Sequence, residues 1–583
     1  MTYLHNDPKA FADDSLTGFL AAYPSRVVRV FGGVVRATAS KAGEVATVIG
    51  GGIGHYPAFA GLVGPGLAHG AALGNVFASP SAEHVYQVAR AAENGGGVLL
   101  TYGNYAGDVL NFDQAETRLR AEGIPCRTVT VSDDISSAAV DEWQRRRGIA
   151  GDLCVFKAAA YAAESGASLD EVWAFANRAN ERTRTLGVAF SGCTLPGASE
   201  PLFTIPAGRM GVGMGLHGEP GLREEPIGSA DEIARLLVTE LLAEVPESVG
   251  SSEGRRVAVL TNGLGSVKYE ELFVLHASVD RLLNEAGLTV VEPDVGEVCT
   301  SFEMAGASLT LFWLDDELER AWLAPADSPA YRKGSVAPRE RRERADVDES
   351  TTVVSTAVVD AASAESRAVA EVVARAVTAA ADRIDAEVEH LGHLDAIAGD
   401  GDHGIGMQRG ASAARDAGDQ AVAEGAGAGT VLTRAAEAWA AAAGGASGAL
   451  WGVILRTFGE RLGDQVAPTG LVVAEAAANA ADAVMAFGKA APGDKTLVDA
   501  LVPFATTLRE SVSRGAGLGD AWADATRAAT AAADATAGMI PRVGRARPHA
   551  EKALGTPDPG AVSLALIVEA ITPTLRREKD ELS

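Results

Sequence analysis

The feature that most constrains the fold is a change of pattern near residue 330. Before it, short β-branched runs alternate with helical stretches. The runs are VATVIG at 45–50, GVLLTY at 97–102, RTVTV at 127–131, RVAVLTNG at 256–263 and LTVVEP at 288–293. Strands interleaved with helices predict an α/β architecture with functional loops at the strand ends. A stretch rich in Gly and Pro at 187–221 divides this region into two predicted lobes.

Beyond residue 355 the chain consists of long Ala-rich helical segments separated by glycine loops, with no strand pattern. Alanine is the best helix former, so this part predicts a compact all-α domain. Between the two regions the chain is polar and highly charged. We therefore expect an α/β domain at 1–330, a linker at 331–355 and a helical domain at 356–583. The basic run in the linker could instead bind RNA, but few aromatic residues interleave with it.

The charge of the chain limits its partners. There are 50 Lys+Arg against 77 Asp+Glu, a formal net charge of −27, which argues against nucleic-acid binding. The four cysteines show no metal or disulfide spacing, and no signal peptide precedes the first domain, so we expect a cytoplasmic protein. An uncharged run at 438–455 has nearly the length of a membrane span. Its glycines favour two helices that meet at a loop, so no membrane partner is expected.

Three carboxylates lie close together in the sequence LDAIAGDGDHG, as Asp395, Asp400 and Asp402. The intervening glycines let the backbone bring them together, and hard oxygen ligands of this kind suit Mg²⁺ or Ca²⁺. An EF-hand does not fit, because Ile405 and Ala411 stand where that motif needs Gly and Glu. A solvated turn is the alternative to a metal site.

Glycine loops of the helical region could hold phosphate. Residues 444–448 read GGASG between two helices, a pattern that offers backbone N–H groups and a hydroxyl at a helix N-terminus. The sequence GKAAPGDKT at 488–496 approaches a P-loop, but it has one residue too many and follows a helix. Arg542, Arg545 and Arg547 form a cationic cluster that could contact an anion or lie in a solvated turn. Together with the acids, these features suggest a metal–nucleotide site.

Three glycine-rich loops in the first region each carry an ionisable residue. They are GGGIGHYP with His55, GNYAGD with Asp108 and GVGMGLHGEPG with His217. The first does not have the G-x-G-x-x-G spacing of a dinucleotide site. Each loop alone could be a structural turn, but their coincidence favours a small-ligand site.

These motifs together resemble the dihydroxyacetone kinase family in its single-chain, ATP-dependent form. The resemblance covers nearly the whole chain, including GGGIGHYPAFAG, NYAGDVLNF, GMGLHGEPG, TNGLGS, AGDGDHG, GGASG, GDKTLVDAL and GRARPHAEKALGTPDPGA. It implies a two-lobed α/β substrate domain followed by an antiparallel helical barrel that binds the nucleotide, and a homodimer. It also implies phosphorylation of the terminal hydroxyl of a small ketose.

The resemblance also assigns roles to residues. His217 matches the histidine that captures the substrate carbonyl as a covalent hemiaminal, and His55 and Asp108 match the groups that bind substrate hydroxyls and handle protons. Gly52, Ile53 and Gly54 complete the substrate loop. Asp395, Asp400 and Asp402 match Mg²⁺ ligands. The residues that match ATP contacts are His403, Gly404, Ala446, Ser447, Lys495, Thr496, Arg542, Asp558, Pro559 and Gly560.

The chain departs from the common family pattern at the substrate site. Tyr56 and Phe59 stand in the GHEPAHAG motif, and Gly103 replaces a Lys. We expect Tyr56 and Phe59 to lie near the ketose and more room to be available, which favours erythrulose over dihydroxyacetone. Two alternatives to the kinase remain: a ketose-sensing regulatory protein, and a phosphotransferase subunit fed by a phosphoprotein.

Overall fold

A computed structural model describes residues 2–219, 221–342, 362–397, 399, 401–543 and 552–581, with side chains as far as 576. The chain divides into two compact units, Met1–Thr352 and Val353–Ser583. The first unit contains two β-sheets with flanking helices, and the second is helical. The predicted fold class is confirmed.

The first sheet contains the three strands that the sequence predicts near the N-terminus. Its strands are β1 Val27–Val30, β2 Gly33–Arg36, β3 Ala46–Ile53, β4 Gly70–Val76, β5 Val98–Gly103 and β6 Cys126–Val131. Their order is β1-β2-β4-β3-β5-β6, and β3 pairs in parallel with both β4 and β5. The carboxyl ends of β3 and β5 therefore open at the same edge of the sheet.

Helices follow the strands of this lobe. They are α1 Phe11–Ala22, α2 Ala82–Ala92, α3 Ala106–Ala121, α4 Asp152–Glu164 and α5 Leu169–Glu181. A 3₁₀ turn at Pro8–Ala10 precedes α1, and two others, Ala60–Leu62 and Val140–Arg145, lie between the helices. Sequence chemistry fixes where the helices begin: Ser168 and Glu171 form a capping box at α5, and the Ser81 hydroxyl accepts from His84 N at α2.

The second sheet begins directly after α5. Its strands are β7 Thr183–Ala189, β8 Arg209–Val212, β9 Arg223–Pro226, β10 Arg256–Gly265, β11 Thr289–Val290, β12 Asp294–Gly296 and β13 Ala305–Trp313. Their order is β11-β10-β13-β7-β8-β9, and β12 also pairs with β10. Helices α6 Ala230–Ala243, α7 Tyr269–Glu285 and α8 Asp316–Leu323 accompany the sheet. The predicted strand at 288–293 is broken after Val290, because Glu292 has a positive φ and Pro293 follows it.

The beginning of the predicted linker lies against the first unit. Strands β14 Ala326–Asp327 and β15 Arg332–Lys333 form a small hairpin, and the hydroxyl of buried Tyr331 donates to Asp294 at 2.7 Å. Arg339 pairs with Glu164, and Arg342 donates to Ala91 O at 2.7 Å. The basic residues at 339 and 342 are thus held by groups of the first unit. Residues 343–361 lie outside the described residues.

The second unit is a ring of antiparallel helices within the described residues. The helices are α9 Ala364–Ala386, α10 Val388–Ala396, α11 His403–Ala423, α12 Ala428–Ala443, α13 Gly445–Leu462, α14 Gly470–Gly488, α15 Val498–Ser513, α16 Leu518–Ala535 and α17 Pro559–Glu581, with a 3₁₀ turn at Thr536–Gly538. From α11 to α17 each helix packs against the next, and α9 packs against both α11 and α17. This closes the ring, and α10 packs beside it against α11 and α17.

Small residues allow these helices to approach closely. A Cβ at Gly410 would lie 2.5 Å from the ring of Trp439, and one at Gly429 would lie 2.8 Å from Gly459 O. The uncharged run at 438–455 is two helices, α12 and α13, that meet at Gly444. Among the described residues, one helix, α14, is long and apolar enough to cross a membrane by length and composition, and its buried residues belong to hydrophobic clusters of this unit.

Candidate active site

His55 lies in the turn that follows β3. Gly54 has φ +117°, and a Cβ there would lie 2.5 Å from the ring of Phe77, so this turn requires glycine. The His55 side chain is buried, and its ring is stacked on Phe77 with the centroids 4.9 Å apart. Its Nδ1 lies 2.8 Å from the carbonyl oxygen of Thr300, which comes from the second lobe.

His217 reaches the same place from the hairpin loop between β8 and β9. Gly218 turns the chain with φ +86°, and a Cβ there would lie 2.2 Å from Phe203. The His217 side chain is buried, and its Nε2 lies 3.0 Å from Nε2 of His55. The two rings are nearly perpendicular, at 86°. The fold therefore brings two of the three sequence-predicted catalytic residues into direct contact between the lobes.

A carboxylate and a guanidinium lie behind His217. Oε1 of buried Glu219 is 3.1 Å from His217 Nδ1, and its Oε2 accepts the backbone N–H of His217 at 3.0 Å. Arg147 lies 3.7 Å from Glu219 and 2.8 Å from Asp134. Burial alone would lower the pKa of Arg147, but the charges of Asp134 and Glu219 outweigh it and raise that pKa. Arg147 therefore remains a cation between two carboxylates.

The loop between β5 and α3 supplies Tyr105 and Asp108. The Tyr105 ring meets the His217 ring edge-on, with centroids 5.0 Å apart at 89°. The Tyr105 hydroxyl is buried and has no hydrogen-bond partner among the described residues, and burial followed by the charge of Glu219 raises its pKa well above the usual value. Asp108 lies in the first turn of α3. Since β5 is the parallel neighbour of β3, Asp108 lies at the sheet edge that carries His55.

The glycines before His55 pack closely against the chain segment that follows β4. A Cβ at Gly52 would lie 2.8 Å from Ala78 N, and Ile53 is the last residue of β3. At Gly103 a Cβ would lie 3.1 Å from Gly148 O and 3.3 Å from the Tyr105 ring. The absence of a side chain at Gly103 therefore permits the close approach of Gly148 and Tyr105.

The aromatic rings at the histidine pair differ from those expected from the sequence. The rings that contact the pair are Phe77 and Tyr105. Phe59 instead covers Gly51 within the core, and half-exposed Tyr56 packs against Phe19. The linear motif could not reveal these packing contacts.

Several groups that the structure places at this site had no role assigned to them from the sequence. Glu219 had a local signal, because it lies two residues after His217 in the same glycine-rich loop. Thr300, Arg147 and Phe77 had no such signal, since each lies far along the chain from the histidine that it approaches. Phe77 has φ +55°, which is uncommon for a bulky residue and becomes visible only in the structure.

In the second unit, His403 connects three helices. Its Nδ1 lies 3.2 Å from Ser447 Oγ on α13, its Nε2 lies 3.0 Å from Ser563 Oγ on α17, and its backbone N–H donates to Asp395 at 3.3 Å. Burial lowers the pKa of the imidazole. Gly404 continues the first turn of α11, where a Cβ would lie 2.0 Å from Val388 O. These contacts bring the N-termini of α11, α13 and α17 together.

The glycine loop before α13 has the conformation that its sequence suggested. Gly444 and Gly445 have φ +61° and +59°, and Ala446 and Ser447 form the first turn of the helix. A Cβ at Gly445 would meet no heavy atom of another segment within 4 Å. Backbone N–H groups at this helix terminus favour an anion.

Lys495 is engaged by backbone carbonyls. Its Nζ donates to Met539 O at 3.3 Å, Ala553 O at 2.6 Å and Thr556 O at 2.7 Å. An ammonium group has three N–H bonds, so these contacts use all of them. Lys495 therefore ties the chain after α16 to the chain before α15, and the next residue, Thr496, donates its backbone N–H to Asp499 at 2.8 Å.

The segment before α17 carries the last group of predicted nucleotide residues. Arg542 N donates to Asp494 O at 3.1 Å, while Arg545 and Arg547 lie outside the described residues. Asp558 accepts the N–H of Ala561 at 2.8 Å and so caps α17, whose first turn contains Pro559 and Gly560. Burial, followed by the charges of Asp395 and Asp499, raises the pKa of Asp558 to about 7.

The predicted Mg²⁺ ligands are described in part. Asp395 ends α10, Asp402 precedes α11, and Asp400 lies outside the described residues. Within the part of the chain that the structure describes, no three His, Cys, Asp or Glu side chains form a metal-binding group. The lack of a side chain at Gly399 allows the Asp395 carboxylate to lie close to it, because a Cβ at position 399 would lie 2.3 Å from Asp395 Oδ1. Carboxylate oxygens are the donors that Mg²⁺ takes, so the residues present fit this ion.

Comparisons with known proteins agree with the two units. A model of the Dak1 domain matches residues 17–330, and a model of the DAK2 domain matches residues 397–573. An L-erythrulose kinase of Pectobacterium atrosepticum is 59% identical over 583 residues, which cover 100% of this chain and 98% of that protein. A D-erythrulose kinase of Mycolicibacterium smegmatis is 52% identical and covers 98% of both chains.

A solved structure is similar over almost the same length. It is the crystal structure of the dihydroxyacetone kinase from C. freundii in complex with AMP-PNP and Mg²⁺. The match has 30% identity and a TM-score of 0.52, and it covers 98% of this chain and 99% of that one. The similarity therefore extends over both units.

Proposed function

The chain belongs to the dihydroxyacetone kinase family and is a kinase, and we propose that it transfers phosphate from ATP to the terminal hydroxyl of a four-carbon ketose, erythrulose. The observation that carries the proposal is the buried contact between His55 and His217, 3.0 Å apart at their Nε2 atoms. Two extensively similar relatives are erythrulose kinases, at 59% and 52% identity. Gly103, in place of the Lys of the common pattern, supports a substrate longer than dihydroxyacetone.

In the proposed mechanism, Nε2 of His217 attacks the ketose carbonyl and forms a covalent hemiaminal. A carbonyl can be captured in this way whereas a polyol such as glycerol cannot, so the covalent step provides selectivity. His55 lies at hydrogen-bonding distance from the attacking nitrogen and can give a proton to the carbonyl oxygen. Asp108 binds the terminal hydroxyl and accepts its proton as that oxygen attacks the γ-phosphorus.

The helical unit holds the nucleotide in this proposal. The N-termini of α11, α13 and α17 offer backbone N–H groups to the phosphates, and Ser447 adds a hydroxyl. The residues we assign to ATP are His403, Gly404, Ala446, Ser447, Thr496, Arg542, Asp558, Pro559 and Gly560. Lys495 supports them by holding the chain on either side of the site, because its three N–H bonds are already used.

Asp395, Asp400 and Asp402 would hold Mg²⁺, which neutralises phosphate charge during transfer when it is bound. Of the two described carboxylates, Asp395 accepts the backbone N–H of His403 and Asp402 immediately precedes α11. We also propose that the protein is cytoplasmic and forms a homodimer. Size-exclusion chromatography with light scattering would test the dimer.

A ketose panel tests the function. The full chain is incubated with ATP, Mg²⁺ and dihydroxyacetone, D-erythrulose, L-erythrulose or glycerol, and ADP is measured. We expect ADP with ketoses, most with an erythrulose, and none above background with glycerol. His217→Ala should abolish turnover, whereas His276→Ala, which changes a half-buried histidine elsewhere in the same unit, should retain it. Absence of ADP with every ketose would refute the kinase proposal.

Intact mass spectrometry tests the covalent step separately. The wild type should gain the mass of one ketose, and His217→Ala should not. A ketose-dependent kinase without this adduct would leave the phosphotransfer proposal intact but refute the hemiaminal. An adduct without ADP formation would instead favour the ketose-sensing alternative.

A further inference from the structure

Four groups form a continuous hydrogen-bonded line through the histidine pair. The Thr300 carbonyl lies 2.8 Å from His55 Nδ1, the two Nε2 atoms lie 3.0 Å apart, and His217 Nδ1 lies 3.1 Å from Glu219 Oε1. His55, His217 and Glu219 are all buried, so water does not compete strongly for these contacts. The line has an oxygen atom at each end, the Thr300 carbonyl oxygen and Oε1 of Glu219.

The two ends of this line determine where protons reside. A carbonyl oxygen only accepts, so His55 Nδ1 carries a hydrogen. An ionised carboxylate also only accepts, so His217 Nδ1 carries a hydrogen as well. The Nε2–Nε2 contact needs one more hydrogen between the rings. With Glu219 ionised, this arrangement of donors and acceptors would give the pair three N–H bonds and one positive charge.

Placing that central proton on one ring or the other has different consequences. On His217 it would occupy the Nε2 lone pair and prevent attack on a carbonyl. On His55 it leaves Nε2 of His217 unprotonated, as the acceptor of this hydrogen bond until the carbonyl carbon takes that place, and it provides an acid beside the nucleophile. The reactive arrangement is therefore a neutral His217 with its hydrogen on Nδ1, facing an imidazolium at His55.

The covalent step then balances. The His217 Nε2 lone pair forms the C–N bond, the carbonyl π electrons move to oxygen, and this oxygen takes the Nε2 proton of His55. His55 ends neutral, while the alkylated His217 carries hydrogen on Nδ1 and a positive charge. The cation thus moves from His55 to His217, to the ring that directly contacts Glu219.

We propose that Glu219 is a positioning residue that fixes the hydrogen of His217 on Nδ1, keeps Nε2 available as the nucleophile and stabilises the cationic adduct. This inference rests on the proposed covalent function of His217. Both oxygens of Glu219 are used on that one residue, since Oε2 accepts the His217 backbone N–H at 3.0 Å. The side chain and backbone of the nucleophile are therefore held by the same carboxylate.

The surroundings of Glu219 are built to hold it in place. Arg147 lies 3.7 Å from Glu219 Oε2 and is itself held by Asp134 at 2.8 Å. Gly215 leaves the necessary room, because a Cβ there would lie 2.1 Å from Glu219 Oε2. Arg147 lies between the carboxylates of Asp134 and Glu219, which compensate its buried charge.

The test uses the full chain, [2-¹³C]erythrulose and ¹³C NMR, which separates a free ketone from a tetrahedral adduct carbon. Glu219→Gln removes the charge and changes one acceptor oxygen to a donor amide with little change in size. We expect its equilibrium constant for adduct formation to fall roughly 10- to 100-fold, the range for loss of a charge-assisted hydrogen bond. Glu219→Asp keeps the charge but shortens its reach, and should recover part of that loss.

Glu224→Gln is the matched control. It makes the same substitution in the same hairpin, on an exposed carboxylate that also faces an arginine, Arg209. It should form adduct like the wild type. ADP binding by calorimetry should be unchanged in all variants, which distinguishes a local effect from misfolding, and Glu219→Asp serves as the test variant if Glu219→Gln does not fold.

The outcomes separate this inference from the proposed function. Adduct in the wild type and equal adduct in folded Glu219→Gln would overturn the role of Glu219 alone. No adduct in the wild type, with ketose-dependent ADP formation retained, would overturn the covalent step and with it this role. A second readout is the ¹⁵N spectrum of labelled histidine: Glu219→Gln should shift the signal of His217 Nδ1, and an unchanged spectrum would contradict the inference.

Discussion

The Nε2 atoms of His55 and His217 lie 3.0 Å apart, although 162 positions separate the two residues in the chain. One follows a strand of the first sheet, and the other lies in a hairpin loop of the second. Their contact depends on the packing of the two lobes against each other. It places a nucleophile and a proton donor together, and the first prediction tests this arrangement.

Replacing His55 should affect the reaction differently from replacing His217. In His55→Ala the nucleophile remains, but its neighbouring proton donor is lost, so adduct formation and phosphorylation should slow. We expect kcat to fall about 10²- to 10⁴-fold, the usual contribution of a general acid–base group. Stopped incubation with ketose and intact mass measurement should show slow adduct formation in His55→Ala and none in His217→Ala. An adduct rate equal to that of the wild type would contradict the role of His55.

A lysine at Gly103 should shift the substrate preference. Its Cβ would approach Gly148 O at 3.1 Å and the Tyr105 ring at 3.3 Å, and its ammonium group would occupy space near the histidines. We expect Gly103→Lys to lower kcat/KM for erythrulose relative to dihydroxyacetone by roughly 10-fold or more, the effect of about one carbon in a pocket. Gly103→Ala, which adds the Cβ alone, should change this ratio less. An unchanged ratio in Gly103→Lys would show that position 103 does not set ketose length.

Lys495→Met should destabilise the helical unit and weaken nucleotide binding. The change leaves three carbonyl oxygens without their donor, at an expected cost of about 2–4 kcal/mol in the free energy of unfolding. Lys489→Met is a matched control, because both lysines have positive φ, 60° and 50°, but Lys489 is exposed. Thermal unfolding should show a lower Tm only in Lys495→Met.

The same pair of variants distinguishes support from direct phosphate contact. If Lys495 acts through the chain segments that it ties together, Lys495→Met should weaken binding of AMP, ADP and ATP by similar factors. A loss confined to ATP, with an unchanged Tm, would instead indicate that its ammonium group contacts the terminal phosphate. Calorimetric titration with the three nucleotides measures the difference.

His69 should make the first unit sensitive to acid. Its Nδ1 accepts the Thr47 backbone N–H at 3.1 Å, and its Nε2 donates to Glu44 at 2.8 Å, so the buried ring is neutral. Burial, followed by the charge of Arg36, lowers the pKa of His69 from 6.5 to about 4. The unfolded chain therefore takes up a proton first. The stabilisation is present above pH 6.5 and is lost as the pH falls from 6.5 towards 4, by at most about 3 kcal/mol.

Hydrogen exchange can measure this loss locally. Peptides from β3 and β4 should lose protection between about pH 7 and about pH 5 after correction for the intrinsic exchange rate. His69→Asn should be less protected at neutral pH but should show a smaller change with pH, whereas His5→Asn, at an exposed position, should behave like the wild type. An equal pH dependence in His69→Asn would contradict the assignment.

Local sequence chemistry predicted much of what the structure contains. The β-branched runs at 45–50, 97–102 and 127–131 correspond to β3, β5 and β6. Strands β3 and β5 are buried on both faces, as their continuous apolar runs indicate, whereas the edge strand β6 is only partly buried. The Ala-rich segments form helices, and the glycines at 444 and 445 separate α12 from α13 because both have positive φ. The motifs also indicated the family, since each is a short stretch whose residues act together.

Contacts between distant segments could not be predicted in this way. His217 was identified from its own loop, but the Thr300 carbonyl, Phe77 and Arg147 come from other parts of the chain. The packing of Tyr56 against Phe19 likewise depends on another segment of the chain. Lys495 looked like a phosphate ligand next to a glycine loop, but the chain that returns after α16 places three carbonyls around its ammonium group.

The sequence by itself determined the order of strands and helices, the glycine positions that require unusual backbone conformations, and the residue types needed for chemistry. These depend on interactions between near neighbours along the chain. Only the tertiary structure decided which of those residues meet, because packing of the two lobes and closure of the helical ring join segments hundreds of residues apart. The contact of the Thr300 carbonyl with His55 belongs to this second class, because 245 positions separate the two residues, whereas Glu219 lies two residues from His217.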